Sequence, residues 1–181
     1  MRMKTAKNIS VLFFILVAVF YLVHEKYSAP LKHGENTFKT VSTVHDGDTV
    51  SIILDNRRKK VRLIGIDAPE ISQRPWGMKA KKYMETILSS SGWNVKLEYD
   101  VDKRDKYGRI LAYLWTTDGE LINLLMLKNG YAMLYTFPPN VKHVDELRNA
   151  QKEAMDRKIV IWAEKGLSET PADYRREHPR M

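Results

Sequence analysis

The sequence predicts an α+β fold: a small barrel of five strands carrying three helices, preceded by an N-terminal hydrophobic helix. Three observations predict it. Short β-rich runs punctuated by Asp, Asn and Gly turns recur between residues 38 and 115. Segments with apolar residues at helical spacing stand between and after them. The first thirty residues hold an apolar run unlike anything that follows.

That run covers residues 9–23 (ISVLFFILVAVFYLV), apolar except for Ser10 and preceded by Arg2, Lys4 and Lys7. This is the order of a secretory signal, basic first and apolar second. A helix of that length spans about 22 Å, short of a typical hydrocarbon core, and flanking Tyr and Lys side chains can snorkel to extend it. Tyr27, Ala29 and Pro30 make a poor peptidase site. The expectation is an uncleaved signal anchor with the C-terminal domain extracytoplasmic, or a secreted form if cleavage occurs. Residues 1–30 are thus the anchor segment and start of a linker, 31–37 the linker, 38–166 the folded domain and 167–181 a polar, loosely held tail.

Within the domain, FKTVSTV (38–44) and TVSIILD (49–55) flank the turn-forming His45-Asp46-Gly47-Asp48. Asp55-Asn56-Arg57-Arg58 makes the next turn, and KKVRLIGI (59–66) is a third β-rich run, so the three read as an antiparallel meander. Pro69 and Pro75 then break the chain. Ala80, Met84, Ile87 and Leu88 mark a helix over 77–91, with Gly92 as its stop. VKLEYD (95–100) and RILAYLW (109–115) return to strand character around the polar loop VDKRDKYG. Leu121, Leu124 and Leu125 give a short helix ended by Asn129-Gly130. Val144, Leu147, Ala150 and Ala154 line the third helix. An OB-type barrel fits this count and order.

Composition narrows the chemistry. The chain has 181 residues, 44% of them hydrophobic, with nine Tyr and four Trp, which suits one folded domain rather than a disordered chain. No cysteine is present, so disulfides, thiolate zinc sites, iron–sulfur clusters and cysteine nucleophiles are excluded. The net charge of +8 favours an anionic partner, although +3 of it lies in the first 30 residues. His24, His33, His45, His143 and His178 are scattered and form no close ligand pair. There is no Gly-x-Ser-x-Gly elbow and no Walker-type loop.

Acidic and arginine chemistry remains, at three places. Asp46-Gly47-Asp48-Thr49 reads first as a hairpin turn. Arg62 lies inside an otherwise apolar strand, where a guanidinium needs an anion, and Asp67 and Glu70 follow just beyond the strand end. Asp105-Lys106-Tyr107-Gly108-Arg109 is a charged turn running into a strand. Taken singly, each has a structural reading: a turn, an ion pair, a turn. Together they supply what metal-assisted phosphodiester cleavage needs: hard oxygen ligands for Ca²⁺ or Mg²⁺, a carboxylate to accept a proton, and guanidiniums to grip phosphorane charge. Strict alternation, however, puts Arg62 on the opposite face from Asp67, so a shared site requires a bulge near Gly65 or a turn that re-aims Asp67.

At these residues the sequence resembles the staphylococcal nuclease (thermonuclease) family. The likeness runs from Phe38 to Gly166 through DGDTV (46–50), RLIGIDAPE (62–70), DKYGR (105–109), NGYA (129–132), and PPN followed by the last helix to IWAE (161–164). The resemblance implies Ca²⁺ ligands from the side chains of Asp48 and Asp67 and the carbonyl of Ala68, with Asp46 behind them holding water at the metal. It implies Glu70 as general base, Arg62 and Arg109 as the phosphate-binding pair, Lys106 and Tyr107 against a flanking phosphate, and Tyr135 as a stacking face for a base. The implied activity is Ca²⁺-dependent hydrolysis of DNA and RNA with low sequence specificity, leaving 3′-phosphate ends, by a monomer. A non-catalytic nucleic-acid- or protein-binding module on the same barrel is the competing expectation.

Overall fold

The computed structural model describes residues 37–179. The expected anchor and all of the linker except Thr37 lie outside the described residues, as does the end of the tail. No helix among the described residues is long and apolar enough to cross a membrane.

Strand β1 (Lys39–Val44) and β2 (Thr49–Leu54) form the first hairpin, and β3 (Arg57–Leu63) returns antiparallel to β2. Only Asp55 and Asn56 form the second turn; both have positive φ, as a tight two-residue hairpin loop demands. Arg57 and Arg58, expected in the turn, already pair with Leu54 and Ile53. After β4 (Gly65–Asp67), helix α1 (Trp76–Ser90) leads to β5 (Asn94–Glu98) and β6 (Ile110–Trp115). Helix α2 (Ile122–Lys128), β7 (Met133–Tyr135), helix α3 (Val144–Asp156), a single 3₁₀ turn (Val160–Trp162) and helix α4 (Pro171–Glu177) complete the order.

The expected five-stranded barrel is present and closed in the order β1-β2-β3-β6-β5. Closure uses a parallel β3–β6 pairing, with Arg62 opposite Leu111, and an irregularity in β1 between Val41 and Thr43. Such a bulge lets one strand bend so that it pairs with both β2 and β5. Val50, Ile52, Val61, Leu63, Ala112 and Leu114 bury in the barrel strands, and Met84, Leu88, Ile122, Met126 and Leu147 bury on the helices.

Helix α1 buries the expected Ala80, Met84, Ile87 and Leu88, and α3 buries Leu147, Ala150 and Ala154. Helix α2 buries Ile122, Met126 and Leu127, and the expected Leu121 is buried at the N-cap, whereas Leu124 and Leu125 are only partly covered. The reason is Asn123, fully buried, whose Oδ1 accepts from Leu114 N at 3.0 Å and whose Nδ2 donates to Ile64 O at 2.7 Å. These two bonds bind α2 to β6 and to the link between β3 and β4, so they fix the helix rotation.

The tail departs from expectation. Residues 171–177 are helical, because Thr170 caps the N-terminus by accepting from Asp173 N and Pro171 occupies the first turn.

Candidate active site

The run 59–66, read from sequence as one strand, is two. β3 ends at Leu63, and Gly65 opens β4 with φ +80°, a left-handed conformation suited to glycine. A Cβ there would lie 2.5 Å from Leu147 Cδ1, so a side chain at this corner would force Leu147 of helix α3 to shift. The corner turns β4 out of the barrel to pair with β7, which sets Gly65 opposite Tyr135 and Asp67 opposite Met133. The conflict posed by strict alternation is thereby resolved, and Arg62 and Asp67 meet: Arg62 Nη2 lies 3.0 Å from Asp67 Oδ1.

Asp48 arrives from the opposite side. Gly47 lets the β1–β2 turn approach closely, since a Cβ there would sit 2.7 Å from Ala68 Cβ and 2.8 Å from Ala80 Cβ. Asp48 Oδ2 then accepts from Ala68 N at 2.7 Å, and Asp48 Oδ1 lies 3.2 Å from Arg62 Nε and accepts from Thr49 Oγ1. Asp46 Oδ1 accepts from Asp48 N at 3.0 Å, closing the turn. Arg62 thus bridges two buried carboxylates, and its Nη1 also donates to the carbonyls of Leu63 and Ile66.

Charge in this cluster is under tension. Burial first, and then the neighbouring Asp48 charge, pushes the Asp46 carboxyl up to about 7. Burial also raises the Asp67 carboxyl, against the pull of Arg175 and Arg62. The donor set fits a hard divalent cation: buried carboxylate oxygens with no nitrogen or sulfur ligand among them. Asp48, Asp67 and the Ala68 carbonyl are the residues that would hold it. Among the described residues no three His, Asp or Glu side chains form a ready-made cage, and this set requires only two carboxylates and a carbonyl.

Arg62 also faces a cleft of about 500 Å³, lined as well by Lys106, Tyr107, Arg109, Tyr135 and Phe137. Asp105 builds its far wall. Its Oδ1 accepts from the backbone N–H groups of Tyr107 and Arg109, and its Oδ2 takes Arg109 Nε at 2.6 Å. These bonds, opposing the effect of burial, hold the Asp105 carboxyl below its usual range. Lys106 Nζ and the Arg109 guanidinium lie over the Tyr107 ring, at 5.1 and 5.6 Å from its centroid. The sequence-selected residues therefore fall into two adjoining groups: Asp46, Asp48, Asp67, Ala68 and Glu70 on the carboxylate side, and Lys106, Tyr107, Arg109 and Tyr135 in the cleft. Arg62 belongs to both.

Glu70 stands between Asp67 and α1, its backbone N–H donating to Gln73 Oε1. Its carboxylate accepts from a residue that sequence reasoning passed over. Arg175 of α4 places Nη1 3.1 Å from Glu70 Oε1 and 3.0 Å from Asp67 Oδ1, and Nη2 2.8 Å from Asp67 Oδ2. A readable signal existed in Thr170-Pro171-Ala172-Asp173, a helix-start pattern, with Arg175 and Arg176 in the turn that follows. Asp105 reads from sequence only as part of the charged turn 105–109, because its role depends on the loop closing upon itself, and Phe137 carries no local signal.

A closed barrel of OB type, with an acid–arginine cluster beside an arginine- and aromatic-lined cleft, defines a class of small barrel proteins equipped to meet an anionic ligand. Comparison with known proteins narrows it. The model for the family described as "Staphylococcal nuclease homologue" matches residues 60–164. The chain is 38% identical over 146 residues to the Thermonuclease of Staphylococcus intermedius, covering 72% of this chain and 85% of that protein. It is 32% identical over 171 residues to the Thermonuclease of Staphylococcus hyicus, covering 87% and 99%. It is also 34% identical over 145 residues to the Endonuclease YncB of Bacillus subtilis (strain 168), covering 74% and 67%. This chain belongs to the staphylococcal nuclease family.

Proposed function

We propose that this chain is a Ca²⁺-dependent nuclease that hydrolyses phosphodiester bonds of DNA and RNA with low sequence specificity, leaving 3′-phosphate ends. One observation carries the reading: Arg62 touches both Asp48 and Asp67 while lining the same cleft as Arg109. A phosphate in that cleft meets two guanidiniums, one of which, Arg62, reaches back to the carboxylate cluster.

When bound, Ca²⁺ supplies Lewis-acid polarisation of a phosphoryl oxygen. Glu70 accepts a proton from the attacking water, the new oxygen–phosphorus bond forms as the bond to the 5′-oxygen breaks, and the departing 5′-oxygen takes up a proton from solvent. Arg62 and Arg109 stabilise the added negative charge on the phosphoryl oxygens. Lys106 and Tyr107 hold a neighbouring phosphate, and the Tyr135 ring, about half exposed, offers a face to a base. None of these contacts reads base edges, which accounts for low sequence specificity. The basic-then-apolar order of residues 1–23 supports an extracytoplasmic location for this activity, held at the membrane or released by cleavage.

The decisive experiment is nuclease assay of the purified chain on plasmid DNA and on RNA, with Ca²⁺ and with a chelator, beside Glu70→Ala. Cleavage that needs Ca²⁺ and falls roughly 10²–10⁴-fold in the variant is expected. Full activity without divalent ions would overturn the metal assignment. Binding without cleavage at every Ca²⁺ concentration would favour the non-catalytic module instead.

A further inference from the structure

Both Asp67 oxygens are engaged by guanidinium while Arg175 is in place. Arg175 grips both Asp67 oxygens in a fork, Nη1 to Oδ1 at 3.0 Å and Nη2 to Oδ2 at 2.8 Å, and extends Nη1 to Glu70 Oε1 at 3.1 Å. Arg62 takes Oδ1 from the other side. A monovalent cation belonging to the chain itself thus occupies the two carboxylates that the proposed ligand set and proton acceptor require.

The element that delivers it is lightly attached. Helix α4 is seven residues long, and of these only Pro171 is buried. Ahead of the helix, Gln73 Nε2 donates to Glu169 O at 3.1 Å. The Arg175 side chain is 40% exposed, whereas Asp67 beneath it is 5% exposed. A buried carboxylate that cannot stay uncompensated is therefore covered by a cation on a short, mostly solvated helix. Such a helix can be displaced without disturbing the barrel.

We propose that α4 is a built-in latch: Arg175 competes with the divalent cation for Asp67 and Glu70, and so sets the Ca²⁺ concentration at which the site fills. This rests on Asp67 being a metal ligand, as in the function proposed above. Without metal, Arg175 neutralises the carboxylates and closes the site. With metal, the guanidinium must leave Asp67, and its bond to Glu70 is given up with it. Metal binding and helix docking are then linked reciprocally, each weakening the other.

The test is calorimetric titration of CaCl₂ into the full chain at fixed ionic strength, with thermal melts with and without Ca²⁺. Wild type, Arg175→Gln, Arg175→Lys and Arg176→Gln are compared. Arg176 pairs with Asp173 at 2.8 Å and is the control for lost surface charge. Arg175→Gln is expected to bind Ca²⁺ about tenfold more tightly than wild type, to melt lower without Ca²⁺, and to gain more in Tm when Ca²⁺ is added. Arg175→Lys, which keeps the charge and loses the fork, falls between them, and Arg176→Gln matches wild type. Equal or weaker Ca²⁺ binding by Arg175→Gln overturns the latch and leaves the metal site standing. An equal gain in Arg176→Gln also overturns it, because general charge would then be the cause. Absence of Ca²⁺ binding in every variant overturns the metal assignment and the latch together.

Discussion

Arg62 Nη2 and Asp67 Oδ1 are 3.0 Å apart, although an unbroken strand would place these residues on opposite faces. The pair exists because β3 stops at Leu63 and Gly65 turns the chain into a second sheet. Every charged group on the carboxylate side is arranged around that meeting.

Arg62 therefore has two duties, which separate it from Arg109. Arg62→Ala leaves Asp48 and Asp67 buried without their shared cation and should cost about 3–5 kcal/mol of stability. Urea denaturation measures this. An unchanged midpoint would show that Arg175 alone suffices to hold Asp67.

Arg109 is less enclosed and contacts Asp105 rather than the buried cluster, so Arg109→Ala should fold with near-normal stability. Its turnover should nevertheless fall roughly 10²–10³-fold, with the loss in kcat rather than KM. Asp105→Asn should show a smaller loss of the same kind, because it frees the Arg109 side chain to wander. Near-normal kcat in Arg109→Ala would remove this residue from the phosphate clamp.

The Gly65 corner is a steric prediction. Gly65→Ala adds a methyl group 2.5 Å from Leu147 Cδ1 at a backbone with φ +80°. A destabilisation of about 1–3 kcal/mol is expected from the backbone conformation alone. Leu147→Ala removes a buried side chain and carries its own cost, so the clash is read from the cycle of Gly65→Ala, Leu147→Ala and the double variant. Thermal melts of the three variants give the clash as the coupling between the two positions and the backbone cost as the Gly65→Ala effect that persists in the Leu147→Ala background.

Away from the site, Glu98 gives a pH signature. Burial works to raise its carboxyl, but hydrogen bonds from Lys142, Trp115 and His143 prevail and hold it below 4.5. Because the folded-state value lies below the unfolded one, the stabilisation is complete above about pH 4.5 and is lost as pH falls through the folded-state value. Glu98→Gln should therefore cost about 1 kcal/mol at pH 7, the exposed Lys142 bond contributing little. The difference should close as the solution is acidified below pH 4.5. A difference that persists at pH 3 would assign the effect to packing.

The sequence by itself determined the barrel, most of the helices and the residue types of the site. Turn chemistry at 45–48 and 55–56, β-rich runs, and the spacing of Ala80, Met84, Ile87 and Leu88 are local properties, set by short-range sterics and periodicity. An arginine in an apolar strand and carboxylates at turns were equally legible, because burying a charge demands a partner. Which partners meet was decided only by the tertiary structure. The Gly65 corner that joins Arg62 to Asp67 depends on Tyr135 of β7 and Leu147 of α3, which lie well beyond it along the chain. The rotation of α2 depends on Asn123 reaching Ile64 O. Arg175 lies 108 residues from Asp67 in sequence, within a segment whose polarity suggested a loose tail. Local pattern carries no information about such pairings, because a guanidinium's choice of carboxylate is settled by which buried charge the finished fold leaves uncompensated.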